Sequence, residues 1–226
     1  MKGLALGALV LVACATTSGG GLEAPPAPPR RTNLEIAITQ MSMTNGLRVV
    51  LVRDPRAPEV AVTMRYRVGF VDDPPGQEGM AHLVEHLMFQ QVVGATTIFS
   101  RVVDDTTAFD GRTDLDATTY MERAPRERLD EMLMIEAVRV GMRCTSISDS
   151  VFARERQVVI DEAHWRGASD RLTSAIVAGV YPEGHPYRRT PETEQTLGSI
   201  TRQQACAFAD AHYTPGNAVM VISGNL

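Results

Sequence analysis

Gly79-Met80-Ala81-His82-Leu83-Val84-Glu85-His86-Leu87-Met88-Phe89 carries two messages in one short segment. Leu83, Val84, Leu87 and Met88 cover most of a helix's circumference with apolar surface, which predicts a buried helix over about 79–91. His82, Glu85 and His86 form its only polar stripe. Residues four apart share a helix face, so the two imidazoles reach one point, with Glu85 a quarter-turn away. Polar groups taken into a core are costly unless something satisfies them, and one metal ion satisfies all three. Two imidazoles on a zinc ion, with a carboxylate beside the water position, are most of a hydrolytic zinc centre. The order His-x-x-Glu-His is the commoner His-Glu-x-x-His read backwards. Two core histidines with ordinary hydrogen bonds are the alternative.

On the N-terminal side, residues 34–43 and 47–52 read as a hairpin about Thr44-Asn45-Gly46, because Asn-Gly supplies the positive backbone angles of a tight turn. Val60, Val62, Met64, Tyr66 and Val68 alternate with Ala61, Thr63, Arg65 and Arg67, a strand with one face on a core. On the C-terminal side, residues 118–124 read as a strand, and Pro125 opens a scaffold helix with Leu129, Met132, Leu133, Glu136 and Val140 on one side. A further helix over about 150–166 puts Glu155, Val158, Val159 and Glu162 at helical spacing. Carboxylates sharing a face with valines are either a solvated edge paired with Arg154 or Arg166, or a source of the third ligand that zinc requires. His164 points to nearly the opposite side of that helix from Glu162 and cannot share a metal with that face. Thr201 and Gln204 form a capping-box signal for a helix to about His212, and residues 217–223 form a last strand. These elements predict an α+β domain: a largely antiparallel mixed sheet with helices packed on one face.

The chain has 226 residues, 44% of them hydrophobic, enough for a substantial core, and a net charge of -5 with scattered Lys and Arg, which excludes nucleic acid as a partner. Residues 1–13 read as a secretory signal: Lys2, then an apolar run too short to span a bilayer. Leu11-Val12-Ala13-Cys14 resembles the lipobox of bacterial lipoproteins, so Cys14 is the expected lipidation site and the N-terminal lipid the expected membrane contact. Ala15 in place of Asp points to the outer membrane, with the domain facing the periplasm of a bacterial envelope. Residues 14–31, rich in Gly and Pro, read as a tether to a domain at 32–226. Cys144 and Cys206 sit in no Cys-x-x-Cys pair, so each reads as a buried apolar thiol, although an exported compartment permits a disulfide between them.

Several segments together resemble the pitrilysin family of zinc peptidases, the inverzincins, which includes insulin-degrading enzyme and the mitochondrial processing peptidase. Residues 79–89 look like that family's zinc helix, and Glu155-Arg156-Gln157-Val158-Val159-Ile160-Asp161-Glu162 like its second element. Glu162 follows His86 by 76 positions, the family's usual separation. The resemblance implies one Zn2+ held by His82, His86 and Glu162, with Glu85 as general base and Glu155 in support. It implies an extended peptide or unfolded segment as substrate, lying as an added strand. Asp110-Gly111-Arg112-Thr113-Asp114-Leu115-Asp116-Ala117-Thr118-Thr119-Tyr120 is similar to the family segment that borders the substrate cleft, with Asp110 and Gly111 replacing Asn and Ala. Asp110 keeps the acceptor oxygen but loses the amide donor and adds negative charge. Segments 181–187 and 213–219 also match, and His185 falls in a structural turn in relatives. Relatives usually carry a second domain of similar fold, whereas this sequence stops at Leu226 directly after a strand, so either a longer protein has been cut or a separate partner supplies the other wall. A second domain or partner subunit is therefore expected, and an inactive zinc-holding partner of a two-component peptidase is the alternative role.

Overall fold

The structure is a computed structural model that describes residues 36–141 and 144–226. The expected signal, tether and Cys14 lie outside the described residues. The chain begins its sheet with the hairpin of β1 (Ala37–Ser42) and β2 (Arg48–Arg53), continues through β3 (Val60–Tyr66), and enters α1 (Met80–Phe89). A two-residue ribbon, β4 (Val92–Val93) and β5 (Thr96–Thr97), leads to α2 (Ile98–Asp105), β6 (Ala108–Thr113) and β7 (Thr118–Ala124). Then come α3 (Leu129–Val140), α4 (Asp149–Val180), α5 (Glu194–Ser199), α6 (Arg202–His212) and β8 (Ala218–Gly224).

Six strands form one sheet in the order β1-β2-β8-β3-β7-β6. Among the described residues only the β2–β8 pair is parallel, so the expected largely antiparallel mixed sheet is present. β8 threads between β2 and β3, and its run Ala-Val-Met-Val-Ile suits a strand paired on both edges. In β3 the side chains of Val60, Val62, Met64 and Tyr66 are buried while Arg65 is exposed. In β7 Thr118, Tyr120, Glu122 and Ala124 are buried while Met121 and Arg123 are exposed. One face of the sheet thus carries the core, and Leu83, Leu87 and Met88 of α1 with Met132 and Ile135 of α3 belong to the same buried cluster.

The N-terminus of α1 is anchored by Asp73, almost fully buried, whose carboxylate accepts hydrogen bonds from the N–H groups of Gly79 and Ala81, each at 2.8 Å. This satisfies donors that a helix start leaves open; burial pushes the Asp73 pKa up to about 7 against the pull of those two hydrogen bonds, and its ionised form sits at the positive end of the dipole. The helix expected over 150–166 instead runs from Asp149 to Val180. Past Arg166 it leaves the core, and Leu172, Ile176 and Val180 are exposed, so no buried stripe signals its continuation.

Cys144 and Cys206 form a disulfide across 62 positions, with Cα atoms 5.3 Å apart. The buried-thiol reading is therefore corrected. Their meeting depends on α6 docking beside the turn before α4, which nothing near either cysteine encodes. By loop-closure entropy such a bridge stabilises by about 4 kcal/mol.

The scaffold helix also hides a feature that apolar patterning does not show. Arg139 of α3 is fully buried between Glu122 of β7, at 2.9 Å, and Glu136, with its guanidinium 4.2 Å from the Tyr120 ring centroid and 5.3 Å from that of Phe89. Burial pushes the Glu136 carboxyl well above its ordinary range; Arg139 pulls it back and Glu122 adds to the rise. The acid form of Glu136 is thereby favoured beside a guanidinium that two carboxyl groups share. Removing one partner of such a pair costs more than the pair contributes. Arg139→Leu is expected to lower the unfolding free energy by about 3–5 kcal/mol in urea denaturation. The double replacement Glu122→Gln with Arg139→Met should recover part of that loss.

Candidate metal centre

The polar stripe of α1 faces α4. His82 and Glu85 are almost fully buried, at 4% and 6% exposure, and α4 presents Glu155 and Glu162 to the stripe. His82 Nε2 lies 3.5 Å from Glu162 Oε2, and His86 Nε2 lies 3.6 Å from Glu162 Oε1. One ligand atom from each of His82, His86 and Glu162 can be chosen so that all three lie within 4.8 Å of one another. Two imidazole nitrogens and one carboxylate oxygen are the ligand types and number of a catalytic zinc site with an open fourth position. The donor set therefore fits a zinc ion.

The electrostatics fit a cation as well. Burial draws the pKa of His82 down, but the contacts with Glu162 and Glu192 and the charges of Glu192 and Glu85 outweigh it and push it up to about 9. Contact with His82 holds the Glu162 carboxyl below its ordinary range against the opposing effect of burial, helped by the charges of His86 and Arg166. Burial raises the Glu155 carboxyl, yet neighbouring His86 and Arg154 bring it below the ordinary value. A guanidinium nitrogen of Arg166 sits 3.1 Å from His82 Nε2 and 3.1 Å from Glu162 Oε2, a positive group where these lone pairs converge.

The acidic face of α4 meets arginines and histidines at once. Arg154 pairs with Glu155 at 2.9 Å and Arg166 with Glu162 at 3.1 Å, as a solvated edge requires, while the same carboxylates reach the histidines. Glu155 Oε2 stands 3.7 Å from His86 Nδ1. His164 points away, 3.5 Å from exposed Glu194, and His185 stacks on Tyr181 in a turn.

The floor of the site is β6, whose outer edge pairs with no other strand among the described residues. Asp110 is exposed on it and lines, with Phe99, Phe109 and Arg112, a cleft of about 970 Å³ that opens onto His82, Glu85 and His86. Gly111 matters by what it lacks: a Cβ there would stand 2.6 Å from Glu85 Oε1 and 2.6 Å from the Phe89 ring. Thr113, two residues on, donates its hydroxyl to Glu85 Oε2 at 2.7 Å. Sequence reasoning did not single out Thr113, Glu192 or the placement of Arg166. Thr113 shares its face of β6 with Gly111, which was a usable signal, whereas Glu192 lies in a connection with no periodicity to read.

The chain belongs to the insulinase family, peptidase family M16, which matches residues 48–181. It therefore carries a peptidase-family domain. A zinc protease of Helicobacter pylori, PqqE, is 28% identical over 198 residues, a match covering 82% of this chain and 43% of that protein. Among solved structures, an M16-like peptidase from Alicyclobacillus acidocaldarius superposes with a TM-score of 0.72 at 24% identity, covering 86% of this chain and 47% of the other. Pitrilysin superposes with a TM-score of 0.74 at 20% identity, covering 87% and 22% respectively; both likenesses speak for the fold. The chain spans somewhat under half the length of curated relatives such as the Helicobacter and Rickettsia proteins, at 43% and 45%.

The tight approach at Gly111 is directly testable. Gly111→Ala should force the Glu85 carboxylate or the Phe89 ring aside and cost about 1–3 kcal/mol of stability by overpacking. Thermal unfolding checks this, and an unchanged Tm would mean that β6 yields to the methyl group.

Proposed function

We propose that this domain is the zinc-binding half of a metalloendopeptidase that hydrolyses extended peptides or unfolded segments. The observation that carries the reading is the convergence of His82, His86 and Glu162 beside a buried Glu85, at the foot of an unpaired strand edge. His82, His86 and Glu162 would hold a zinc ion, which when bound would supply Lewis acidity and lower the pKa of water there towards neutrality.

This chain's own groups do the rest. Glu85 is the general base, taking the proton of the attacking water and passing it to the departing amide nitrogen. Thr113 occupies Glu85 Oε2, and the absent side chain of Gly111 gives Oε1 its room. Glu155 orients His86 from behind. The substrate backbone extends the sheet along the free edge of β6, a recurring mode of peptide capture, past Asp110 at the rim.

A second domain or a partner subunit supplies the opposite wall of the cleft in this reading, supported by the relatives' greater length. The same length difference supports a second reading, an inactive zinc-holding partner. A buried carboxylate held beside the convergent ligands favours the catalytic one, because a purely structural site has no use for a base. We also propose that Cys14 carries a lipid that anchors the protein in the outer membrane of a bacterial envelope.

Glu85→Gln is expected to leave zinc binding intact and to lower hydrolysis of a quenched peptide by about 10²–10⁴-fold, assayed with the companion domain or subunit present. Retained activity removes Glu85 from its assigned role, and a zinc-loaded wild-type mixture without activity supports the inactive-partner reading. Cys14→Ser should move the protein from the membrane to the soluble fraction; unchanged membrane association overturns the lipid anchor.

A further inference from the structure

Glu192 has a buried carboxylate beside the candidate metal centre that the mechanism above does not use. It lies in the connection between α4 and α5, 110 positions after His82, and its side chain is only 5% exposed. Both its carboxylate oxygens stand 3.1 Å from His82 Nδ1. A carboxylate has no hydrogen to give, so in the neutral ring that a metal requires the proton of this contact belongs to Nδ1 and the lone pair lies on Nε2; Arg166 Nη2 stands 3.2 Å from Nδ1 and 3.1 Å from Nε2 at the outer side. Nε2 is the nitrogen that faces Glu162, at 3.5 Å.

The other histidine is arranged alike. His86 turns Nε2 toward Glu162 at 3.6 Å and Nδ1 toward Glu155 at 3.7 Å. Each imidazole thus has a carboxylate behind it, one from α4 and one from the connection before α5, and both present the same nitrogen to the centre.

The surroundings of Glu192 are built to hold it there. The next residue, Thr193, caps α5: its hydroxyl accepts from the N–H of Thr196 at 3.1 Å, and its own N–H donates to Thr196 Oγ1 at 2.9 Å. Thr196 Oγ1 in turn donates to the carbonyl of Glu78 at 2.9 Å, tying the start of α5 to the start of α1. Gly79, the N-cap of α1, has φ +97°, and a Cβ on it would meet Glu192 Oε2 at 2.9 Å, Glu192 Cβ at 3.0 Å and Leu197 Cδ2 at 2.5 Å. The missing side chain of Gly79 is the space through which Glu192 reaches His82. Arg166, 3.4 Å from Glu192 Oε1, closes the outer side of the contact.

We propose that Glu192 is a positioning residue for His82: its carboxylate fixes the Nδ1–H tautomer and the ring orientation, so that Nε2 is presented to the metal. This deepens the metallopeptidase reading and rests on it. Partners of this kind, removed from a ligating histidine, typically cost about 10–100-fold in metal affinity.

The test measures zinc affinity by competition with a chromophoric chelator, independently of hydrolysis, on the full chain. Glu192→Ala is expected to weaken zinc binding by about 10–100-fold. Glu192→Gln, whose amide oxygen still accepts from Nδ1–H, should fall between the alanine variant and wild type. Glu194→Ala, two residues further on at the start of α5 but exposed and paired with His164, serves as a control and should bind zinc like wild type. Nitrogen-15 spectra of the zinc-loaded chain should show a hydrogen-bonded Nδ1 proton on His82 that Glu192→Ala abolishes. Thermal unfolding of each variant separates loss of fold from loss of positioning. Wild-type zinc affinity in both Glu192 variants, with the Nδ1 signal unchanged, overturns the proposal while leaving the metal centre standing. A wild-type chain that binds no zinc overturns the metallopeptidase reading instead, and the role of Glu192 with it.

Discussion

Burying α1 against the sheet is the constraint from which the rest of this structure follows. A helix apolar around most of its surface is stable only inside, and that burial carries His82 and Glu85 nearly out of reach of water. Their polarity must then be answered by protein groups or by an ion. The structure answers with carboxylates: Glu155 and Glu162 from α4 and Glu192 from before α5 all converge on the two histidines. Acidic groups crowded in this way attract a cation, and Arg166 offers one at the outer side.

A second buried polar layer supports the helix from beneath. Arg139 faces the rings of Phe89 and Tyr120 while it joins Glu122 and Glu136, so the end of α1 rests on a charged group that is itself enclosed. The Tyr120 hydroxyl lies 3.1 Å from Met88 Sδ and 3.4 Å from the Glu85 carbonyl, which ties β7 to the same helix. Phe89 then fills the gap that Gly111 leaves in β6, beside the Glu85 carboxylate. Helix, strand edge and buried ion cluster form one contiguous set of contacts, and the position of Glu85 depends on all of them.

Both halves of the site therefore use absent side chains as structural parts. Gly111 lets Glu85 and Phe89 approach the strand, and Gly79 lets Glu192 pass to His82. In each case the helix can come close to its neighbour only because one Cβ is missing. The cleft that results lies next to the edge of β6 that pairs with no other strand among the described residues, so the Glu85 carboxylate and an unpaired strand edge are adjacent by construction.

Short-range patterns determined a great deal here. Alternation marked β3, the apolar circumference marked α1, the capping box at Thr201 and Gln204 marked α6, and helical spacing placed Glu155 and Glu162 on one face. Each of these is a property of neighbours in the chain, and periodicity reports such properties faithfully. The threading of β8 between β2 and β3, the pairing of Cys144 with Cys206, the burial of Arg139 and the arrival of Glu192 at His82 are of another kind. They join elements that local patterns do not connect, across 17 positions for Arg139 with Glu122, 62 for the disulfide and 110 for Glu192 with His82, and the energies that fix them arise only when the elements are packed. Tertiary structure alone decided them, because a carboxylate in a connecting segment carries no local mark of the imidazole that it will meet.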